Sequence, residues 1–359
     1  MKNLSNIPWD AFLSLPLAEK TPYLMQLDGM PYHTLFAQQF GRDLLNNLAV
    51  LANEIRTIAK TREGTEFLRT MALHKRAMLY FSQPSSRTFL SFVSACQILG
   101  VPTGEVRDTS ISSEFKGESR EDSVRTFSSY FDLIIMRTPE KGLAEHMAWA
   151  LSNSERSIPI INAGSGQDQH PTQALLDIYT LLRSFENSGG LCDRTVVFCG
   201  DLLRGRTVRS LSYLLTNYPN IRQIFVAPDP LQLSADVLAI LDQKSVVYEQ
   251  TNDFHMAIRQ ADAVYMTRIQ DEWDTTQGES AQIDISNFKF GLKELAILQP
   301  HAIIMHPLPR RDEIAKEVDS DPRAMYWRQM RNGMWIRTAL IAVTFGCEKR
   351  IHEYFLKIS

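Results

Sequence analysis

The chain has 359 residues, 44% of them apolar and 22% charged, with a formal net charge of −3. That length exceeds one ordinary hydrophobic core and suits two domains, while the slightly acidic balance excludes a global basic field for nucleic acid. Cys96, Cys192, Cys199 and Cys347 form no CxxC pair, and neither a signal-peptide core nor an apolar run of about 18 residues occurs, so a reduced, cytoplasmic protein with no membrane partner is expected.

Leu44, Leu48, Leu51, Ile55 and Ile58 recur every three or four residues, which predicts a long amphipathic helix with a core-facing stripe. Short apolar runs follow at 75–81 (KRAMLYF), 133–138 (LIIMRT), 158–164 (IPIINAG), 195–201 (TVVFCGD), 224–229 (IFVAPD), 263–269 (AVYMTRI) and 302–309 (AIIMHPLP). Their apolar character is continuous rather than alternating, and helical patterns lie between them. This is the pattern of an α/β protein with parallel sheets covered on both faces. A helix is expected from His170 through HPTQALLDIYTLLRSF, ending before Gly189-Gly190, where a break precedes the second set of strands. The run GMWIRTALIAVTFG is apolar on more than one side, which predicts a packed C-terminal helix.

In parallel α/β sheets ligands bind beyond the carboxyl ends of the strands. The polar residues of this chain concentrate there. Ser85-Ser86-Arg87-Thr88 follows the first strand, Arg137 ends the next, and His170-Pro-Thr-Gln173 follows the third. In the second half come Arg204 and Arg206, then Arg268 and Gln270, then His306-Pro307-Leu308-Pro309-Arg310. Arginine stands at five of these six points, which predicts small substrates rich in anionic oxygens. The hydroxyl-rich cluster at 85–88 sits where a helix begins, and free backbone N–H groups, hydroxyls and a guanidinium there form a cage for phosphate. A plain helix cap is the competing explanation for Ser85 or Ser86. His170 and Gln173, three apart, share one side of a helical turn if the helix opens at Pro171. Leu308-Pro309 follows a strand directly; a cis peptide would aim the carbonyls of Pro307 and Leu308 inward, although a trans turn is the default. GSGQDQ lacks the third glycine of GxGxxG, GDLLRGRT lacks the GK[ST] of a nucleotide P-loop, and GxSxG and HExxH are absent.

Taken together, PSSRT, Lys116-Gly117-Glu118, HPTQ, GD-x3-GRT, MTRIQ and HPLPR resemble, in order and spacing, the transcarbamoylases, and among them the aspartate branch, over roughly residues 40–350. The resemblance implies two α/β domains, 1–170 completed by a returning C-terminal helix 331–359, and 171–330. It implies carbamoyl transfer from carbamoyl phosphate to L-aspartate in pyrimidine synthesis, with no metal or cofactor. It further implies a homotrimer with shared active sites. Ser85, Ser86, Arg87, Thr88 and Arg137 would hold phosphate, with Ser112 and Lys116 entering from a neighbouring subunit. Thr88, Arg137 and His170 would contact the carbonyl oxygen. Gln173 and the carbonyls of Pro307 and Leu308 would hold the carbamoyl nitrogen, while Lys116, Arg206, Arg268 and Gln270 would bind aspartate. Ser86, Phe89, Thr138, Phe115 and Trp273 depart from the family's common residues, the last near the acceptor. A different amino acceptor, a non-catalytic trimeric scaffold or sensor, and a regulatory chain or multienzyme partner all stay open. About thirty residues precede the family's usual start, and an arm packed on the trimer is expected there.

Overall fold

The computed structural model describes residues 3–107, 117–166, 169–274, 278 and 280–359. The chain divides into two units, Met1–Leu175 with Gly333–Ser359, and Leu176–Asn332. In the first unit come α1 (Trp9–Ser14), α2 (Leu17–Lys20), α3 (Arg42–Ile58), α4 (Arg62–Arg69), β1 (Ala77–Phe81), α5 (Ser86–Ile98), β2 (Thr103–Val106), α6 (Arg120–Tyr130), β3 (Leu133–Thr138), α7 (Leu143–Ser152) and β4 (Ile160–Ser165). Helix α8 (Pro171–Phe185) carries the chain onward. The second unit continues with β5 (Thr195–Cys199), α9 (Arg206–Leu215), β6 (Arg222–Val226), α10 (Ala235–Gln243), β7 (Tyr248–Thr251), α11 (Phe254–Ile258), β8 (Ala263–Met266), α12 (Leu292–Ile297) and β9 (Ile303–Met305). Helix α13 (Tyr326–Thr344) returns to the first unit, and α14 (Glu348–Ile358) ends the chain. The boundaries fall inside α8 and α13, while α8 ends at Phe185, ahead of Gly189-Gly190 and of β5. A continuous helix can serve two cores, so a breaker residue need not mark where packing changes.

Each unit holds one parallel sheet flanked by helices. The strand orders are β2-β1-β3-β4 and β7-β6-β5-β8-β9. In the first sheet β1, β3 and β4 are buried throughout, while β2, at the edge, is half exposed. Each order reverses direction once, between β1 and β3 and between β5 and β8. Such switch points leave a crevice at the strands' carboxyl ends, because the crossovers depart to opposite sides. Register sets Phe81 beside Arg137 in one sheet and Cys199 beside Met266 in the other. The loops after these strands therefore emerge as neighbours.

The N-terminal segment packs on its own unit. Leu4, Phe12, Leu24, Leu35 and Phe36 share a core with Met147 and Leu151 of α7. The buried Lys20 ammonium pairs with Glu145 at 2.8 Å, and Trp149 Nε1 donates to the Ile7 carbonyl at 2.8 Å. At the other end, His352 of α14 bonds Glu54 of α3 at 2.7 Å. Among the described residues no helix is long and apolar enough to cross a membrane.

Candidate active site

At the first switch point Ser85 is the N-cap residue of α5, with extended backbone (φ −165°, ψ 100°), yet its side chain makes no capping hydrogen bond. The cap explanation therefore fails for Ser85. Ser86, Arg87 and Thr88 form the first turn, whose N–H groups have no intrahelical acceptors and whose dipole end favours an anion. Ser86 and Arg87 are exposed and Thr88 is buried. Phe89 is buried, edge-on to Phe81 and covered by the Arg107 guanidinium, so an apolar side chain is the one that packing accepts there.

Arg137 lies beside this loop: its carbonyl accepts from Ser82 N at 3.0 Å, and its buried guanidinium donates to the Ala163 carbonyl at 3.1 Å. Gly164, at the end of β4, has φ +122°, and a Cβ there would come within 2.6 Å of Arg137 Nη1 and 3.4 Å of His170 Cδ2. Arg137 and His170 thus converge on one point, kept open by the missing side chain. His170 and Gln173 are both buried at the start of α8, where Gln173 N donates to the His170 carbonyl at 3.0 Å. Pro171 opens the helix, as a first-turn proline should.

The second switch point is organised by Asp201, which is fully buried. Its carboxylate accepts from Arg204 N at 3.1 Å and from Gln270 N at 3.0 Å, tying the loop after β5 to the loop after β8. Gly200 (φ +119°) lies against the Thr267 carbonyl, too close for any side chain. Arg206 opens α9; burial pulls its guanidinium down to about 10 while Glu272 opposes that shift, leaving it charged at neutral pH and poorly solvated. Arg268 donates to Glu272 at 2.8 Å and to the Ile269 carbonyl at 2.8 Å. In the loop after β9 the Leu308–Pro309 peptide is cis, where sequence alone favours trans, and Leu308 has φ +51°.

Each unit therefore gathers its own set. Ser85, Ser86, Arg87, Thr88, Arg137, His170 and Gln173 belong to the first; Arg206, Arg268, Gln270, Pro307 and Leu308 belong to the second. Ser112 and Lys116, with Phe115, lie outside the described residues. Two of the strand-end arginines are engaged otherwise. Arg310 is held by Asp319 and Tyr326, and Arg204 by Asp274 and Ser280. The sequence shows Asp201 only as part of the GD-x3-GRT motif, because its acceptor role needs the second strand in place, and it assigns no role to Arg337 of α13. The Arg337 guanidinium, buried, donates to Ser91 of α5 at 2.8 Å and reaches Thr172 of α8 at 3.5 Å, bracing the two helices that carry the anion-binding residues. A lone arginine within an apolar helical run was the signal available.

The fold and these residues define a two-domain α/β enzyme of small anionic substrates. Residues 32–183 match the carbamoyl-P binding domain of the aspartate/ornithine carbamoyltransferases, and residues 192–344 match their Asp/Orn binding domain. The chloroplastic aspartate carbamoyltransferase of Oryza sativa subsp. japonica is 40% identical over 311 residues, covering 85% of this chain and 82% of its own. The catalytic subunit of M. jannaschii aspartate transcarbamoylase superposes with a TM-score of 0.77 at 33% identity, over 90% of this chain and 98% of its own. The Trypanosoma cruzi enzyme in complex with carbamoyl phosphate and aspartate gives 0.75 at 33% identity, over 89% and 98%. The chain belongs to the aspartate/ornithine carbamoyltransferase family.

Proposed function

We propose that this chain transfers the carbamoyl group of carbamoyl phosphate to L-aspartate, giving N-carbamoyl-L-aspartate and phosphate, in pyrimidine biosynthesis. The observation that carries the reading is the convergence of buried Arg137 and His170 on Gly164, at the sheet whose strand β1 leads into the hydroxyl-rich N-terminus of α5. In this reading Ser85, Ser86, Arg87, Thr88 and Arg137 hold the phosphate. Thr88, Arg137 and His170 donate to the carbonyl oxygen, and Gln173 with the carbonyls of Pro307 and Leu308 holds the amide nitrogen. Arg206, Arg268 and Gln270 hold the two carboxylates of aspartate, one of which would take over the guanidinium edge that Glu272 occupies.

The amine of aspartate attacks the carbonyl carbon, forming a C–N bond and an oxyanion that Arg137 and His170 stabilise. The C–O bond to phosphate then breaks, and phosphate departs with the amine's proton. A donor aimed at the carbonyl oxygen is poorly placed to take that proton, so His170 acts as donor rather than base. Because the nucleophile and leaving group come with the substrates, the chemistry asks the protein for alignment and oxyanion stabilisation. Orientation supplies up to ~7–11 kcal/mol, and each oxyanion donor about 10²–10³ in rate.

The active assembly is, in the same reading, a homotrimer in which Ser112 and Lys116 come from the neighbouring copy, with Lys116 also contacting aspartate. The location in the same reading is cytoplasmic, supported by four widely spaced cysteines that suit a reducing compartment; the rice relative is named chloroplastic. Sedimentation tests the assembly, with a monomer as the adverse result. The activity is tested by transfer from labelled carbamoyl phosphate to L-aspartate, L-ornithine and acylated ornithine in parallel. Product with aspartate alone, abolished by Arg87→Ala, is expected. Transfer only to another amine would overturn the roles of Arg268 and Gln270, and transfer to none would move the chain to a sensor or scaffold.

A further inference from the structure

His306 directly follows β9 and begins the loop whose carbonyls are assigned above to the carbamoyl nitrogen. Its imidazole is fully buried. Nδ1 lies 2.8 Å from Leu308 N, and Nε2 lies 2.6 Å from Glu313 Oε1. A backbone N–H can only donate, so Nδ1 must carry a lone pair, and the ring's single proton sits on Nε2, pointing at the carboxylate. Burial, opposed by Glu313, lowers the ring's proton affinity in the same sense.

This arrangement surrounds a residue that needs holding. Leu308 has φ +51°, a region that a leucine rarely occupies and that survives only where its surroundings over-determine it. The bond from Leu308 N to Nδ1 fixes the peptide plane whose oxygen is the Pro307 carbonyl. The backbone of His306 is fixed in turn on one side and its ring on the other. His306 N donates to Gln329 Oε1 at 2.9 Å, Gln329 Nε2 donates to Asp177 at 2.7 Å, and Tyr265 caps the other Asp177 oxygen at 2.8 Å. Glu313 also accepts from Arg311 N at 3.0 Å, and the Arg311 guanidinium grips Asp271 through two bonds of 2.7 and 2.8 Å. Asp271 directly follows Gln270. Glu313 thus anchors the loop of Pro307 and Leu308, and Arg311 links that anchor to the loop of Arg268 and Gln270 through Asp271.

We infer that His306 and Glu313 are positioning residues for carbamoyl transfer: Glu313 sets the Nε2–H tautomer of His306, whose Nδ1 clamps Leu308 so that the loop carbonyls face the carbamoyl amide. The inference rests on the function proposed above. Asparagine can place an oxygen where Nδ1 stands, whereas glutamine reaches only the Nε2 position. His306→Asn should therefore keep kcat within about tenfold of the wild type, and His306→Gln should lose about 100-fold, the scale of an ångström-sized misplacement. Both are compared in the aspartate assay, with thermal melting of each variant. Equal losses in the two variants, or full activity in His306→Gln, would overturn the clamp. An inactive wild type would instead sink the functional reading. Nitrogen-15 histidine spectra of the wild type read the tautomer independently of activity or variant folding: an unprotonated Nδ1 at neutral pH is expected, and a protonated one refutes the inference.

Discussion

Gly164→Ala offers a direct probe of the Arg137 and His170 arrangement. A methyl group there would stand 2.6 Å from Arg137 Nη1, so the guanidinium must retreat by about 0.8 Å to reach ordinary contact near 3.4 Å. The nearest neighbour is the tip of a side chain, so the displacement falls on Arg137 rather than on the sheet. Moving a positioning group by about 1 Å costs on the order of 10² in rate, close to the 10²–10³ of deleting an oxyanion donor. The backbone adds its own cost, since φ +122° suits glycine and strains alanine by about 1–3 kcal/mol. Steady-state carbamoylation of aspartate should show kcat reduced about 100-fold, alongside a lowered melting temperature. Arg137→Ala should fall by a similar factor without the backbone strain. A folded Gly164→Ala protein with wild-type kcat would refute the placement of Arg137 at the reacting carbonyl.

Asp201→Asn leaves one oxygen to serve two backbone donors, Arg204 N and Gln270 N, and turns the other position into a donor facing an N–H. KM for aspartate should rise about tenfold or more while KM for carbamoyl phosphate stays near the wild-type value, consistent with about 1–3 kcal/mol for an unsatisfied buried group; an unchanged aspartate KM would count against this anchor. His33 is buried, with Nδ1 accepting from Ile160 N at 3.1 Å, and burial lowers its pKa from 6.5 to about 3. Between those two values the unfolded chain binds a proton that the folded chain refuses, so stability falls as pH drops through about 6.5 toward 3. His33→Asn, which keeps an acceptor for Ile160 N without a titrating ring, should flatten that acid slope in melting experiments, and parallel slopes for the two proteins would contradict the assignment.

The strands were legible where burial on both faces demands apolar residues. The runs at 133–138 and 195–201 contain β3 and β5, and the five-residue stripe from Leu44 to Ile58 lies within α3. The edge strands β2 (TGEV) and β7 (YEQT) were not legible, because an edge half open to water carries polar residues at strand positions and breaks the apolar run. The N-terminal segment packs against α7 of its own chain, where Phe12, Leu24 and Phe36 find apolar partners that no local periodicity announces.

The anion-binding chemistry is local and could be read in one dimension. Hydroxyls and an arginine at a strand-to-helix junction meet a helix N-terminus whatever the rest of the chain does. By itself the sequence determined the two parallel sheets, the residue types at their carboxyl ends and, through six ordered motifs, the family. Only tertiary structure decided which of those residues act together. Arg137, Gly164 and His170 are brought together by strand pairing and loop closure, Asp201 reaches Gln270 across two strands, and Arg337 braces helices whose start points lie far from it in the chain. Periodicity records which way each residue faces, but a contact across many residues depends on register and crossover direction, which the packing of the whole sheet sets.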